Sequence, residues 1–134
     1  MGADGDATFV GYHGTSSSFV LAIGHGINPP TGRNFRGRTQ LGEGFYTTPD
    51  YDMARFFASI AVREAGGIPV VLEVHARNFG EMVGRGVPRR SWWAVAANSP
   101  YITGFDYLTA PIAGFEPVRQ VKFNPRAYGA LRVR

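Results

Sequence analysis

The chain has no cysteine among its 134 residues, so it can form neither a disulfide nor a thiolate metal site, and its redox compartment stays open. Its three histidines, His13, His25 and His75, fall in no zinc-type spacing, so no metal is expected. No apolar run reaches the roughly 20 residues of a membrane-crossing helix. Met1-Gly2-Ala3-Asp4-Gly5-Asp6 has no basic or apolar stretch, which excludes a signal peptide there, and Asp6 breaks the myristoylation pattern. Lysine is almost missing: thirteen of the fourteen cations are arginine. What is abundant is glycine, with eighteen residues beside nine prolines, which implies many turns and few long helices. The length suits one domain: a flexible leader over residues 1–8 and a single folded unit over 9–134.

Charge is unevenly placed. Residues 1–76 carry five arginines and seven acids, a net of −2, whereas residues 77–134 carry nine cations and three acids, a net of +6. A basic half suits nucleic acid, an acidic protein surface or a pyrophosphate, and equally a plain solvated face.

Phe9-Val10 leads into Gly11-Tyr12-His13-Gly14-Thr15, and then Ser16-Ser17-Ser18 precedes Phe19-Val20-Leu21-Ala22-Ile23. This pattern predicts a strand that ends in His13, a glycine turn and a helix opened by serine caps. A histidine there, beside a backbone bared by Gly14, offers a ligand both side-chain and main-chain hydrogen bonds. Residues 24–40 read as a loop in which Arg33, Arg36 and Arg38 among glycines make an anion-contacting composition. Gly37 to Gly42 has P-loop glycine spacing, but Glu43-Gly44 stands where Lys and Ser/Thr are needed, which excludes that nucleotide site. Phe45-Tyr46-Thr47 is predicted as a short strand. Thr48 as N-cap and Pro49 in the first turn then start a helix, with Met53, Phe56, Phe57, Ile60 and Ala61 as its buried stripe and Gly66-Gly67 as its stop.

Residues 68–75 read as a central β-branched strand that begins near Pro69. Residues 77–101 show no period, and Trp92 and Trp93 read as packing. Further predictions are a strand at 105–108, a proline-bounded loop at 110–117 and a strand at 118–123 stopped by Asn124-Pro125. On that last strand Gln120 and Lys122 share one face, while Val121 and Phe123 share the other. The tail from Arg126 reads as a helical turn or an edge strand.

Taken in order, Tyr12-His13-Gly14-Thr15, Gly44-Phe45-Tyr46 with the helix to Phe57-Ala58, and the late strand around Gln120 resemble the ADP-ribosyltransferase superfamily. The resemblance is to its His–Tyr–Glu branch of diphtheria-type and exotoxin-A-type toxins and poly-ADP-ribose polymerases, and it spans about residues 9–125. It implies an α+β fold of split antiparallel β-sheets with a few short helices, gripping NAD as substrate. By this resemblance Tyr12, His13, Gly14 and Thr15 form the first binding motif. His13 holds a ribose hydroxyl, and Gly14 grips the nicotinamide amide. Tyr46 stacks on the nicotinamide ring, Phe57 closes its other side and Ala54 is the small residue against it. Arg36, with Arg33 or Arg38, is assigned to the pyrophosphate on composition alone.

The position of the family's catalytic glutamate is occupied by Gln120, which keeps a hydrogen bond and loses a charge; Glu116 is the candidate to supply the missing carboxylate. The implied activity is mono-ADP-ribosyl transfer from NAD to a macromolecule, protein rather than nucleic acid, without a membrane partner. The implied setting is a bacterial toxin effector, secreted or delivered, that acts in the target-cell cytoplasm. Three alternatives stay open: an NAD glycohydrolase, a catalytically silent NAD- or ADP-ribose-binding module, and a basic nucleic-acid-binding domain.

Overall fold

The computed structural model describes residues 7–20, 41, 44–88 and 100–134, with Pro100 and Ile102 described by their backbone alone. Among the described residues, seven strands form two sheets. In the first, β1 (Ala7–Ser16) and β7 (Leu131–Val133) flank β3 (Pro69–Arg77), all antiparallel. In the second the order is β2 (Phe45–Thr47), β6 (Arg119–Phe123), β5 (Tyr107–Pro111) and β4 (Gly84–Gly86); only the β4–β5 pair is parallel. Two antiparallel-rich sheets with few helices agree with the α+β class expected from the sequence. β3 is central, as its β-branched run predicts, and Pro69 opens it, where a missing N–H costs no ladder bond.

The apolar layer between the sheets is Phe45 and Phe123 from one and Val74, Ala76 and Leu131 from the other, with Ala127. Burial of each large side chain stabilises the fold by about 1.5–3 kcal/mol. The opposite face of the second sheet carries its own cluster of Leu41, Val87, Leu108 and Ala110.

The helix Tyr51–Ala65 lies across β1 and β3. Its buried residues are Met53, Ala54, Ala58 and Ala61. Met53 and Ala61 of the expected stripe are buried, but the rest is corrected: Phe56 is 43% exposed and Phe57 and Ile60 are half-buried, because the helix sits too close to β1 to admit a phenylalanine between them. Gly14 sets that approach. A Cβ at Gly14 would collide with the Ala54 carbonyl and lie 2.8 Å from Ala58 N. The N-cap is corrected as well. Asp50, not Thr48, accepts the Met53 N–H at 2.8 Å, and Pro49 lies outside the helix. Gly66, with φ 74°, closes the helix as predicted.

β1 does not end at His13. It runs to Ser16, and Gly14 is an extended ladder residue opposite Val71 rather than a turn. The special backbone lies earlier, at Gly11, with φ 137° beside a bulge between Phe9 and Gly11. Ala7 and Thr8, expected in the leader, instead belong to β1, where they pair with Arg77 and Ala76, and residues 1–6 lie outside the described set. Residues 17–20 are helical, and Ser16 Oγ accepts the Ser18 N–H at 3.1 Å, the capping that the serine run predicts. The predicted strand at 105–108 is shifted to Tyr107–Pro111, which takes Ala110 and Pro111 out of the predicted loop. The tail contains both expected forms, a 3₁₀ segment (Pro125–Ala130) followed by the edge strand β7.

Candidate functional site

The candidate site lies where the two sheets part. β1 is an edge strand of the first sheet and β2 an edge strand of the second, and one bridge joins them: Tyr12 N–H to Thr48 O at 2.7 Å and Thr48 N–H to Tyr12 O at 2.9 Å. Antiparallel strands alternate the direction of their backbone groups. Since Tyr12 points both of its groups at Thr48, Gly14 also points its N–H and C=O to that outer edge, away from β3. Tyr46 likewise turns its C=O toward β1, where His13 Nδ1 meets it at 2.7 Å. A carbonyl only accepts, so Nδ1 carries the proton, and the neutral ring offers Nε2 as an acceptor. The imidazole is also stacked on Phe45, with centroids 4.1 Å apart and planes at 23°. His13 is thus held by two neighbours on β2 in one tautomer and one orientation, beside the outward-facing amide of Gly14.

Register places the other candidates. Tyr46 is directly opposite Lys122, and Lys122 is opposite Leu108. Gln120, two residues from Lys122, shares their face, as the strand period predicts. Tyr46 and Gln120 therefore lie on the same face of the second sheet, the buried face of the Leu41 cluster and the one opposite the Phe45 ring on which His13 stacks. The Tyr46 hydroxyl accepts the Leu41 N–H at 2.9 Å. Burial pushes its phenol well above the usual range, against a smaller lowering by that bond, so it is a neutral ring rather than an acid. Gln120 is only 4% exposed, and its Nε2 donates to the Pro111 carbonyl at 3.1 Å. A glutamate could make that contact only when protonated.

The remaining candidates take ordinary places. Tyr12 makes edge contacts with Phe9 at 5.1 Å and Tyr51 at 5.2 Å. Thr15 is buried opposite Val70. Ala54 is buried with its backbone against Gly14. Phe57 has Phe56 as a ring neighbour at 6.1 Å, and Phe56 in turn meets Phe115 at 5.3 Å, which brings the loop that carries Glu116 against the helix. The Glu116 carboxylate accepts the Gly114 N–H at 3.1 Å within its own loop. Arg33, Arg36, Arg38, Trp92 and Trp93 lie outside the described residues.

Sequence reasoning passed over four polar residues. Thr48 is buried at the junction, and its Oγ1 donates to the Arg119 carbonyl at 2.9 Å while accepting the Asp50 N–H at 3.2 Å. Thr47 Oγ1 lies 3.4 Å from the carbonyls of both Val10 and Val121. Lys122, the one lysine of the chain, is fully buried. Its stem crosses Gly44, and its Nζ donates to Asn124 Oδ1. Asn124 Nδ2 donates in turn to the carbonyls of Tyr101 and Phe105, at 2.9 and 2.7 Å. The signal was there for Lys122, a lone lysine alternating with Val121 and Phe123 on an apolar strand.

Among the described residues no helix is long and apolar enough to cross a membrane, and no group of three or more acidic or histidine side chains could hold a metal ion. In comparisons with known proteins, no protein-family model matches this chain and no curated protein matches it either.

Proposed function

We propose that this chain is a mono-ADP-ribosyltransferase domain of the split-sheet type, which cleaves NAD and passes ADP-ribose to a macromolecular acceptor, a protein in preference to nucleic acid. The observation that carries this reading is the His13–Gly14 edge. A histidine whose Nδ1–H donates to the Tyr46 carbonyl adjoins a glycine whose N–H and C=O face outward where the sheets part. A carboxamide presents an acceptor and a donor side by side, the complement of the Gly14 pair. A ribose hydroxyl is a fitting donor for His13 Nε2. Tyr46 and Gln120 supply an aromatic ring and an amide on one face of the neighbouring sheet.

In the proposed reaction the bond between C1′ of the ribose and the pyridinium nitrogen breaks. Its electron pair leaves with nicotinamide, which departs neutral, and the acceptor's nucleophile attacks C1′ as it gives up a proton. Positive charge develops on the ribose, as in glycoside hydrolysis. The Gln120 carbonyl oxygen can orient the 2′-hydroxyl but brings no full charge, so the rate is expected to be modest. As the resemblance suggests, the setting is a toxin effector in the cytoplasm of a target cell.

A second reading, a silent NAD- or ADP-ribose-binding module, is favoured by one observation: residue 120 is a buried amide already bonded to the Pro111 carbonyl. Nicotinamide release by the purified chain, with and without cell lysate and beside His13→Ala and Gln120→Ala, separates the readings. Release that labels a lysate macromolecule, and that both variants lose, supports transfer. Release without an acceptor points to a glycohydrolase. A thermal shift with NAD but no release leaves the binding module.

A further inference from the structure

We infer that Thr48 is a positioning residue that fixes the start of the Gln120 strand relative to the His13 strand; the inference rests on the NAD-cleaving reading above. Thr48 touches the residue before each of them. Its backbone closes the pair with Tyr12, which precedes His13, and its hydroxyl donates to the carbonyl of Arg119, which precedes Gln120. The β2–β6 ladder ends at the Thr47–Val121 pair, so the Thr48 hydroxyl carries the contact one step further along β6, to the edge of Gln120. Thr48 is 1% exposed, and its oxygen is also the acceptor for the Asp50 N–H, which orients the hydroxyl proton toward Arg119.

Gly11 makes this junction possible. Its extra Cβ would lie 3.0 Å from the Thr48 carbonyl and 3.1 Å from Thr47 Oγ1, so the bulge in β1 needs a bare backbone to reach β2 here. Thr47 repeats the stitch one residue earlier, between Val10 and Val121, with longer contacts. The two sheets are thus tied by hydroxyls along the line between the first binding motif and the start of β6.

The two bonds of Thr48 predict a split effect. Its main chain holds the His13 side, whatever the side chain. Its hydroxyl holds the Gln120 side alone. Thr48→Val removes the hydroxyl and keeps the shape. It is expected to lower kcat for nicotinamide release by roughly 10–100-fold, the size of a small misplacement of a reacting group, while KM for NAD stays within about threefold. Thr48→Ser is expected to restore kcat, since it returns the hydroxyl. In NMR spectra of the unliganded protein, Thr48→Val should shift the Gln120 side-chain amide and leave the His13 ring nitrogens in place, and Thr48→Ser should shift neither.

Wild-type kcat together with an unmoved Gln120 amide in Thr48→Val would overturn the inference. So would a serine variant as impaired as the valine one, since packing alone would then explain the loss. If Thr48→Val does not fold, Thr48→Ala takes its place in the same measurements. A wild-type chain that releases no nicotinamide sinks the catalytic reading, and the Gln120 amide then still decides whether Thr48 positions it.

Discussion

Tyr46 does two things with opposite ends of one residue. Its carbonyl fixes the His13 tautomer, and its enclosed phenol takes the Leu41 N–H. Burial raises the phenol's pKa in the folded chain, so the fold prefers the protonated form. An unfolded tyrosine ionises near pH 10, so the stability that Tyr46 contributes is fully present below about pH 10 and is lost as pH climbs above it, at up to about 1.4 kcal/mol per pH unit. Melting temperatures between pH 8 and 11.5 should show this alkaline decline, and Tyr46→Phe should flatten it while costing about 1 kcal/mol at neutral pH. Gln120 gives a second expectation. Gln120→Glu sets a carboxylate against the Pro111 carbonyl and removes a donor, so urea unfolding at pH 7 should show a loss of about 1–3 kcal/mol that shrinks at acid pH. The short Gly11–His13 and Phe45–Thr47 stretches were legible as strand segments because they are local in sequence. The Pro111 contact was not: it joins residues nine apart on two strands, and no period announces it.

Among the elements, β1 and the helix depend on each other through the bare Cα of Gly14. Gly14→Ala would drive a methyl into the Ala54 carbonyl, forcing the helix off the sheet. A loss of about 3 kcal/mol or more is expected in urea, at or beyond the upper end of ordinary overpacking because the obstacle is backbone. If Gly14→Ala unfolds like wild type, the close approach of helix and strand is wrong. The cap offers a milder test: Asp50→Ala should cost about 1 kcal/mol and Thr48→Ser far less, since Asp50 and not Thr48 takes the Met53 N–H. The sequence pattern found this helix, its glycine stop and the buried Met53 and Ala61, yet it wrongly put Phe56 inside. Periodicity marks an apolar stripe of phenylalanines, but a glycine on the facing strand draws in alanines instead, and the large rings are left at the rim. The phenylalanines then meet the Phe115 loop, a contact 59 residues apart in the chain that no local rule proposes.

The molecule as a whole is two sheets sharing one apolar layer on one side and one threonine-stitched seam beside it. Phe123 is fully buried in the shared layer. Phe123→Ala should cost about 3–5 kcal/mol, and because the layer supports both sheets, unfolding should remain a single cooperative step by fluorescence and by circular dichroism. Two separated transitions would mean that the sheets are independent units. The seam is polar where a core would be apolar, with Thr47 and Thr48 both buried, and Gln120, Lys122 and Asn124 are buried along and just past β6. That arrangement sets the outward-turned backbone of Gly14 beside the His13 imidazole held by Tyr46 and Phe45.

The order of strands and helices is a property of short stretches, so it could be read from residue spacing and turn chemistry, whereas the α+β class and the roles of His13, Tyr46 and Gln120 entered only as what the resemblance implies. Where β1 ends, which helix face is buried and which polar side chains lie inside are set by partners tens of residues away. Gly14 is extended because Val71 and Ala54 require it to be, and Thr48 is a joint rather than a cap because the Arg119 carbonyl is within its reach. Local sequence encodes the preference of a segment. Only the packed tertiary structure brings up the distant hydrogen-bond partner that decides among preferences of similar energy.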